Sequence, residues 1–272
     1  ILSLIFFTSP MPSLINKTIL ILSPQAWGTM FLSKHHYAIE LAKRGNRVFF
    51  LNPPEQAGKK IGISVNPSGV HSDLFLIEHS LPFSYKIKFH AMPVFHWLMR
   101  FHIKRIIKKI PAAIDIVWSF EMGNLYPFRF FPESTYKIFH PVDEPLNRAA
   151  IESAKDAQII FSVTREILDK YKSYALPSHF INHGLSENFL TCNAPVFGMQ
   201  GEIKIGFSGN LIRNDIDREI LLKIIIENPS KIFNFWGAYN FWQSNIGGAA
   251  DLDTLAFVEL LKSQKNVQLF GA

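Results

Sequence analysis

The chain has 272 residues, 48% of them hydrophobic and 18% charged, enough for one large core or two domains. Its single cysteine, Cys192, excludes a disulfide framework and a cysteine zinc site, so a reducing compartment is the default. A net charge of +6 suits nucleic acid, an anionic membrane or a phosphorylated small molecule without choosing among them.

Ile1 to Pro10 is apolar but too short to span a bilayer. Met11 stands just before the first strand pattern, so residues 1–10 read as a leader or as lying upstream of the natural start. Lys17 to Ser23 (KTILILS) is a continuous apolar run, as in a strand buried on both faces of a parallel sheet. The loop PQAWGTM follows, then a helix from Ser33 with Ala38, Ile39, Leu41 and Ala42 on one face, stopped by Gly45. Arg47 to Leu51 is the next strand. ISV and LFLI are weaker ones. Met92 to Ile110 is helical, and AIDIVWS and YKIFH are strands. Asn147 to Ala154 is a short helix, AQIIFSV a strand, Thr164 a cap for REILDKYKSY, and SHFIN a further strand. This alternation predicts an α/β fold with a parallel sheet.

Residues 191–201 (TCNAPVFGMQG) lose the pattern and read as a linker. A second strand–glycine–helix unit then opens with IKIGFSGN and continues through KIFNFWG, a glycine-bearing loop, a helix over 254–263 and NVQLFG. The reading is two Rossmann-like domains, 11–190 and 202–272, with the second incomplete: it holds about half of a doubly wound domain, so the natural protein is expected to continue.

Several stretches resemble the GT-B glycosyltransferases, and among them the retaining family 4 group. PQAWGTMFLSKHHYAIELAKRGNRVFFLNPP is similar to their opening strand, glycine-bearing loop and helix. DAQIIFSVTREILDKY resembles the strand and helix that close their first domain, and FINHGLSENF the segment before their linker. IGFSGNLIRNDID and NVQLFG resemble the start of the donor-binding domain and one of its later strands. The family's paired-glutamate motif would lie beyond Ala272. Asn210 stands where the family often has Arg, with Arg213 three residues on. The resemblance implies transfer of a sugar from a nucleotide-diphospho-sugar to a cell-surface polysaccharide or lipid-linked glycan, with retention of configuration, no cofactor and no obligatory metal. The reading is a cytoplasmic enzyme, with contact to the inner membrane face as an option left open by the basic helix over 92–110. As it stands the chain is expected to be weakly active or inactive. Two other readings are a GT-B-fold nucleotide-sugar epimerase and a non-catalytic module that binds membrane surfaces.

In open α/β sheets ligands bind outside the carboxyl ends of the strands. Gly209, Asn210 and Arg213 follow a strand and precede a helix, a place suited to a diphosphate. Gly237 ends the next strand and could let a base lie on the backbone, or simply make a turn. Asp215-Ile216-Asp217 has the form of a metal-binding DxD, but Asp217 stands where a helix N-cap is expected, and no metal is assigned. Trp27, Gly28, Lys34 and His35 lie after the first strand. His35 falls on the apolar side of its helix. Glu121, His140 and Asp143 follow two later strands. Glu121 and Asp143 are the carboxylates that could orient an acceptor hydroxyl or take its proton. The resemblance places His183 and Gly184 at the cleft.

The helix from Met92 to Ile110 puts Phe95, Met99, Ile103, Ile106, Ile107 and Ile110 on one face. Trp97, Arg100, Phe101, Lys104, Arg105, Lys108 and Lys109 lie on the other. That mixture suits an anionic lipid surface, and equally a solvated basic helix. No nucleic-acid-binding module accompanies the charge, so nucleic acid is not assigned as a partner.

Overall fold

Apolar runs with no polar alternation become the middle of a sheet. In a computed structural model that describes residues 14–55, 62–184, 203–240 and 251–271, β1 (Thr18–Leu22) and β2 (Arg47–Leu51) are buried at all but their first residue. They pair in parallel, Ile19 opposite Val48, and β5 (Ile116–Ser119) flanks β1 on its other side. The proposed leader at 1–10, Cys192 and the linker at 191–201 lie outside the described residues.

The first sheet has eight strands in the order β3-β4-β2-β1-β5-β6-β7-β8. The remaining members are β3 (Ile63–Pro67), β4 (Leu74–His79), β6 (Tyr136–Phe139), β7 (Ile159–Ser162) and β8 (Ser178–Phe180). All neighbours are parallel except β3, which runs antiparallel to β4 at the edge. Pro67 ends that edge strand, where its missing N–H breaks no central ladder. From β1 the chain builds outward through β2 to β4 and β3, then returns to the opposite side of β1 at β5. The strand order therefore reverses between β1 and β5, where such sheets place ligands.

Helix α1 is Ser33–Lys43, α2 is Ile87–His90 and α3 is Met92–Ile107. α3 ends at Ile107 rather than Ile110. Its inward face (Phe95, Met99, Ile103, Ile106) joins Leu20, Phe49, Val117 and Phe139 in the main core. Burying each such side chain stabilises the fold by about 1.5–3 kcal/mol. α4 (Arg148–Glu152) starts from the Asn147 cap, whose Oδ1 accepts from Ala150 N at 3.0 Å. α5 (Arg165–Lys170) is capped by Thr164, whose Oγ1 accepts from Ile167 N at 3.1 Å.

The second sheet has three parallel strands in the order β11-β10-β9, formed by β9 (Lys204–Ser208), β10 (Ile232–Trp236) and β11 (Val267–Gly271). α6 (Arg218–Glu227) and α7 (Leu252–Ser263) are its described helices. Leu211, Ile225, Phe233, Phe235, Phe257, Val258 and Leu261 form its core. The described residues group into two compact units. Of the described residues, one unit holds those up to Pro24 and from Ser33 to Gly184; the other holds those from 203 on together with Gln25–Leu32, the loop that follows β1.

Candidate functional site

In the second unit the carboxyl ends of the three strands carry one glycine each. Gly209 follows β9, Gly237 follows β10 and Gly271 ends β11. They lie side by side: Gly209 N donates to Trp236 O at 2.9 Å, and Gly237 N donates to Gly271 O at 2.6 Å. Gly237 has φ +133°, and a Cβ there would sit 1.9 Å from the Gly209 carbonyl oxygen. Only glycine fits that position. The result is a shelf of bare backbone at the strand ends.

Asn210 is buried beside the shelf, and its Oδ1 accepts from Ile212 N at 3.1 Å, closing a local Asx turn. Arg213, read from the sequence as a phosphate cation, forms a two-pronged ion pair with Asp215 on the exposed loop, one prong at 2.8 Å. Hydrogen bonding by Arg213 holds the Asp215 carboxyl below its usual range. Asp217 Oδ1 accepts from Ile220 N at 3.0 Å, so it caps α6. Both carboxylates of the DxD stretch are thus engaged within the chain. Among the described residues no group of three or more His, Cys, Asp or Glu is placed to hold a metal. A cation missed in the sequence is Arg218, the first residue of α6. Its Nη2 donates to Thr254 Oγ1 at 2.8 Å, which ties the starts of α6 and α7 together.

In the first unit the strand ends carry polar side chains instead. Glu121 is buried just beyond β5. Its Oε1 accepts from Gly123 N and its Oε2 from Leu125 N at 2.8 Å. A Cβ on Gly123 would meet Glu121 Oε1 at 2.5 Å, so any larger residue there would push the carboxyl aside. Burial pushes the Glu121 carboxyl up, against the pull of those N–H groups and of Lys88. The carboxyl that the sequence offered to an acceptor hydroxyl thus also shapes its own loop.

His140 ends the β6 segment and is fully buried. Phe120 stacks on it at 4.8 Å, and Tyr37, Phe161 and Trp118 complete a cage of rings. Trp118 Nε1 donates to His140 Nδ1 at 3.3 Å. The neutral ring therefore carries its proton on Nε2, which has no hydrogen-bond partner among the described residues. Burial, then the charge of His183, lowers the imidazole to about 4. Asp143, two residues past Pro141, is exposed and interacts electrostatically with Lys34. Lys34 is almost wholly buried at the start of α1, and burial lowers its amine to about 8. His35 is buried too and stacks on Phe50 at 5.0 Å. His183 and Gly184 are exposed at the end of β8's loop. Trp27 and Gly28 are half-buried in the loop that groups with the second unit, where Trp27 packs on Phe31 at 4.9 Å.

The structure thus couples Lys34 to Asp143 and His140 to His183, while Glu121 belongs to a separate polar cluster with Lys88 and Tyr126. Next to that cluster lies a network absent from the sequence reading. His79, the last residue of β4, pairs with His102 of α3 (2.9 Å) and reaches Tyr126 Oη (3.0 Å) and Asn52 O (3.1 Å). Burial lowers His79 to about 3 and His102 to about 4. The available signal was His102 standing between inward-facing Met99 and Ile103.

No family model and no curated protein matches the chain. Solved structures do resemble it. Sucrose-phosphate synthase from Thermosynechococcus elongatus is 11% identical, with TM-score 0.58 over 94% of this chain and 70% of that one. An α,α-trehalose-phosphate synthase (UDP-forming) from Burkholderia vietnamiensis is 10% identical, with TM-score 0.53 over 94% and 72%. Anabaena HepE, solved in complex with UDP and glucose, is 12% identical, with TM-score 0.51 over 93% and 68%. At such identity the likeness speaks for the fold, and the chain has the two-part α/β architecture of the GT-B fold.

Proposed function

We propose that the protein is a glycosyltransferase that moves a sugar from a nucleotide-diphospho-sugar to a glycan or lipid-linked acceptor. The observation that carries this reading is the glycine shelf at Gly209 and Gly237 within a GT-B fold. The N–H groups of these two glycines are used inside the sheet. Their contribution is a surface without side chains, on which a base or sugar ring can lie. The positive end of α6, which opens nine residues after Gly209, favours the diphosphate. HepE was solved with UDP and glucose, which makes a uridine nucleotide the first donor to test.

In the proposed step the bond from the anomeric carbon to the diphosphate oxygen breaks, and its electron pair leaves on the diphosphate. The acceptor hydroxyl oxygen bonds to the anomeric carbon on the same face. The hydroxyl proton passes to an oxygen of the departing diphosphate. Stabilising that leaving group is the main task of the site. On the first unit, Asp143 offers an exposed carboxylate that can orient a hydroxyl, and Glu121 holds its loop.

Incubation of UDP-, GDP- and ADP-sugars with and without a membrane glycan extract, followed by mass spectrometry, tests the reading. It predicts release of nucleoside diphosphate, at a slow rate for this chain, with the sugar appearing on the extract. A sugar that is altered while still joined to its nucleotide, without acceptor, would point to an epimerase and contradict transfer.

A further inference from the structure

The helix pair α2–α3 presents an outward face that the transfer reading does not use. On α3, Val94, Trp97 and Phe101 follow one another at intervals of three and four, so they form one stripe opposite the buried Phe95, Met99, Ile103 and Ile106. They are exposed: 50% for Val94, 59% for Trp97 and 50% for Phe101. Phe89 of α2, 72% exposed, lies just before them in the chain. The same stripe continues into Lys104 and Lys108, with Arg100 and Arg105 on its flanks, all exposed. Apolar side chains of this size normally face a core; four of them ringed by cations are a surface with a purpose.

Charge identifies the occupant. Between Glu78 and Asp115 there is no acidic residue, while Lys86, Lys88, Arg100, Lys104, Arg105, Lys108 and Lys109 fall there. The chain's net +6 becomes −1 once those seven are set aside. None of the cations on α3 appears in an ion pair among the described residues. The seven cations therefore crowd into one stretch, residues 86–109, which spans α2, α3 and their flanks and carries the exposed rings. We infer that α2–α3 docks the first unit on an anionic lipid bilayer, with Phe89, Val94, Trp97 and Phe101 entering the interfacial layer and the cations meeting lipid phosphates. Single-stranded nucleic acid is the poorer match. Trp97 and Phe101 meet edge to face (5.1 Å, 78°), as do Tyr85 and Phe89 (5.8 Å, 69°), so neither pair forms the parallel platform on which bases stack. Among the described residues no helix is long and apolar enough to cross a membrane, so the contact proposed is peripheral. This inference rests on residues separate from the donor site and stands or falls independently of sugar transfer.

The test is flotation of the full 272-residue chain with vesicles of phosphatidylcholine, with and without phosphatidylglycerol, at rising salt. Binding is expected only with phosphatidylglycerol and is expected to weaken as salt rises. Lys104→Gln and Lys108→Gln should each lower partitioning about fivefold, and W97S/F101S should lower it by at least as much. All four positions are exposed, and circular dichroism of each variant checks that it folds. Equal binding to neutral vesicles, or variants that float like the parent, would overturn the inference. So would tight binding to an oligonucleotide with none to vesicles.

Discussion

The two units carry opposite chemistry at their strand ends. All ten histidines lie at or before His183, and the first unit's strand ends are lined by buried imidazoles, a buried carboxylate and a buried amine. Residues 203–271 contain no histidine and balance seven cations against seven carboxylates. The corresponding strand ends there are bare glycine backbone. One unit offers directional, titratable groups; the other offers shape and a helix terminus, which the proposed function assigns to the nucleotide. A shared α/β plan thus supports different chemistry because the loops, not the strands, carry it.

This contrast can be broken by experiment. Phe95→Ala empties a fully buried site under the first sheet and should remove about 3–5 kcal/mol from the first unit alone. Calorimetry with hydrogen exchange would resolve the units, and equal loss in both would refute their separateness. Acid should act on the same side. His140 is held at about 4 against an ordinary 6.5, so on acidification the unfolded state takes up its proton first. The stability is present above pH 6.5 and is lost as pH falls toward 4, amounting to about 3 kcal/mol for this ring. His79 and His102 act with the same sign. His140→Gln should flatten the first unit's profile across that window, and an unchanged profile would contradict the burial account. Gly237→Val forces a side chain onto the Gly209 carbonyl at positive φ and should cost the second unit about 2 kcal/mol, with loss of any nucleotide binding. The smallest effect belongs to Arg213→Ala. Its pair with Asp215 is exposed and screened by solvent, so stability should be nearly unchanged. A large loss of nucleotide affinity in that variant would show that Arg213 leaves Asp215 to clamp phosphate.

Sequence period and caps made much of this fold legible. TILIL and RVFFL read as central strands because nothing polar interrupts them, and both are buried. Thr164 and Asp217 read as caps and accept the expected N–H groups, while Asn147, read as the first residue of its helix, is instead its cap. The edge strand β3 was weaker, since ISVNP shows neither alternation nor a continuous run, and its direction is set by pairing with β4. The sites were harder to read. Lys34 at a helix start has the pattern of a surface residue, and only tertiary packing buries it. The His79–His102 contact joins residues 23 apart in sequence. Glu121 sits at a strand end, as a catalytic carboxylate would; what commits it to its loop is the approach of the Gly123 and Leu125 N–H groups.

The central claim is that the glycine shelf receives a nucleotide. Titration of the labelled protein with UDP, GDP and ADP, followed by amide NMR, tests it most directly. Saturable shifts centred on Gly209, Asn210 and Gly237, with any one of the three nucleotides, are predicted. No saturation with any of them, or shifts centred elsewhere, would contradict the account.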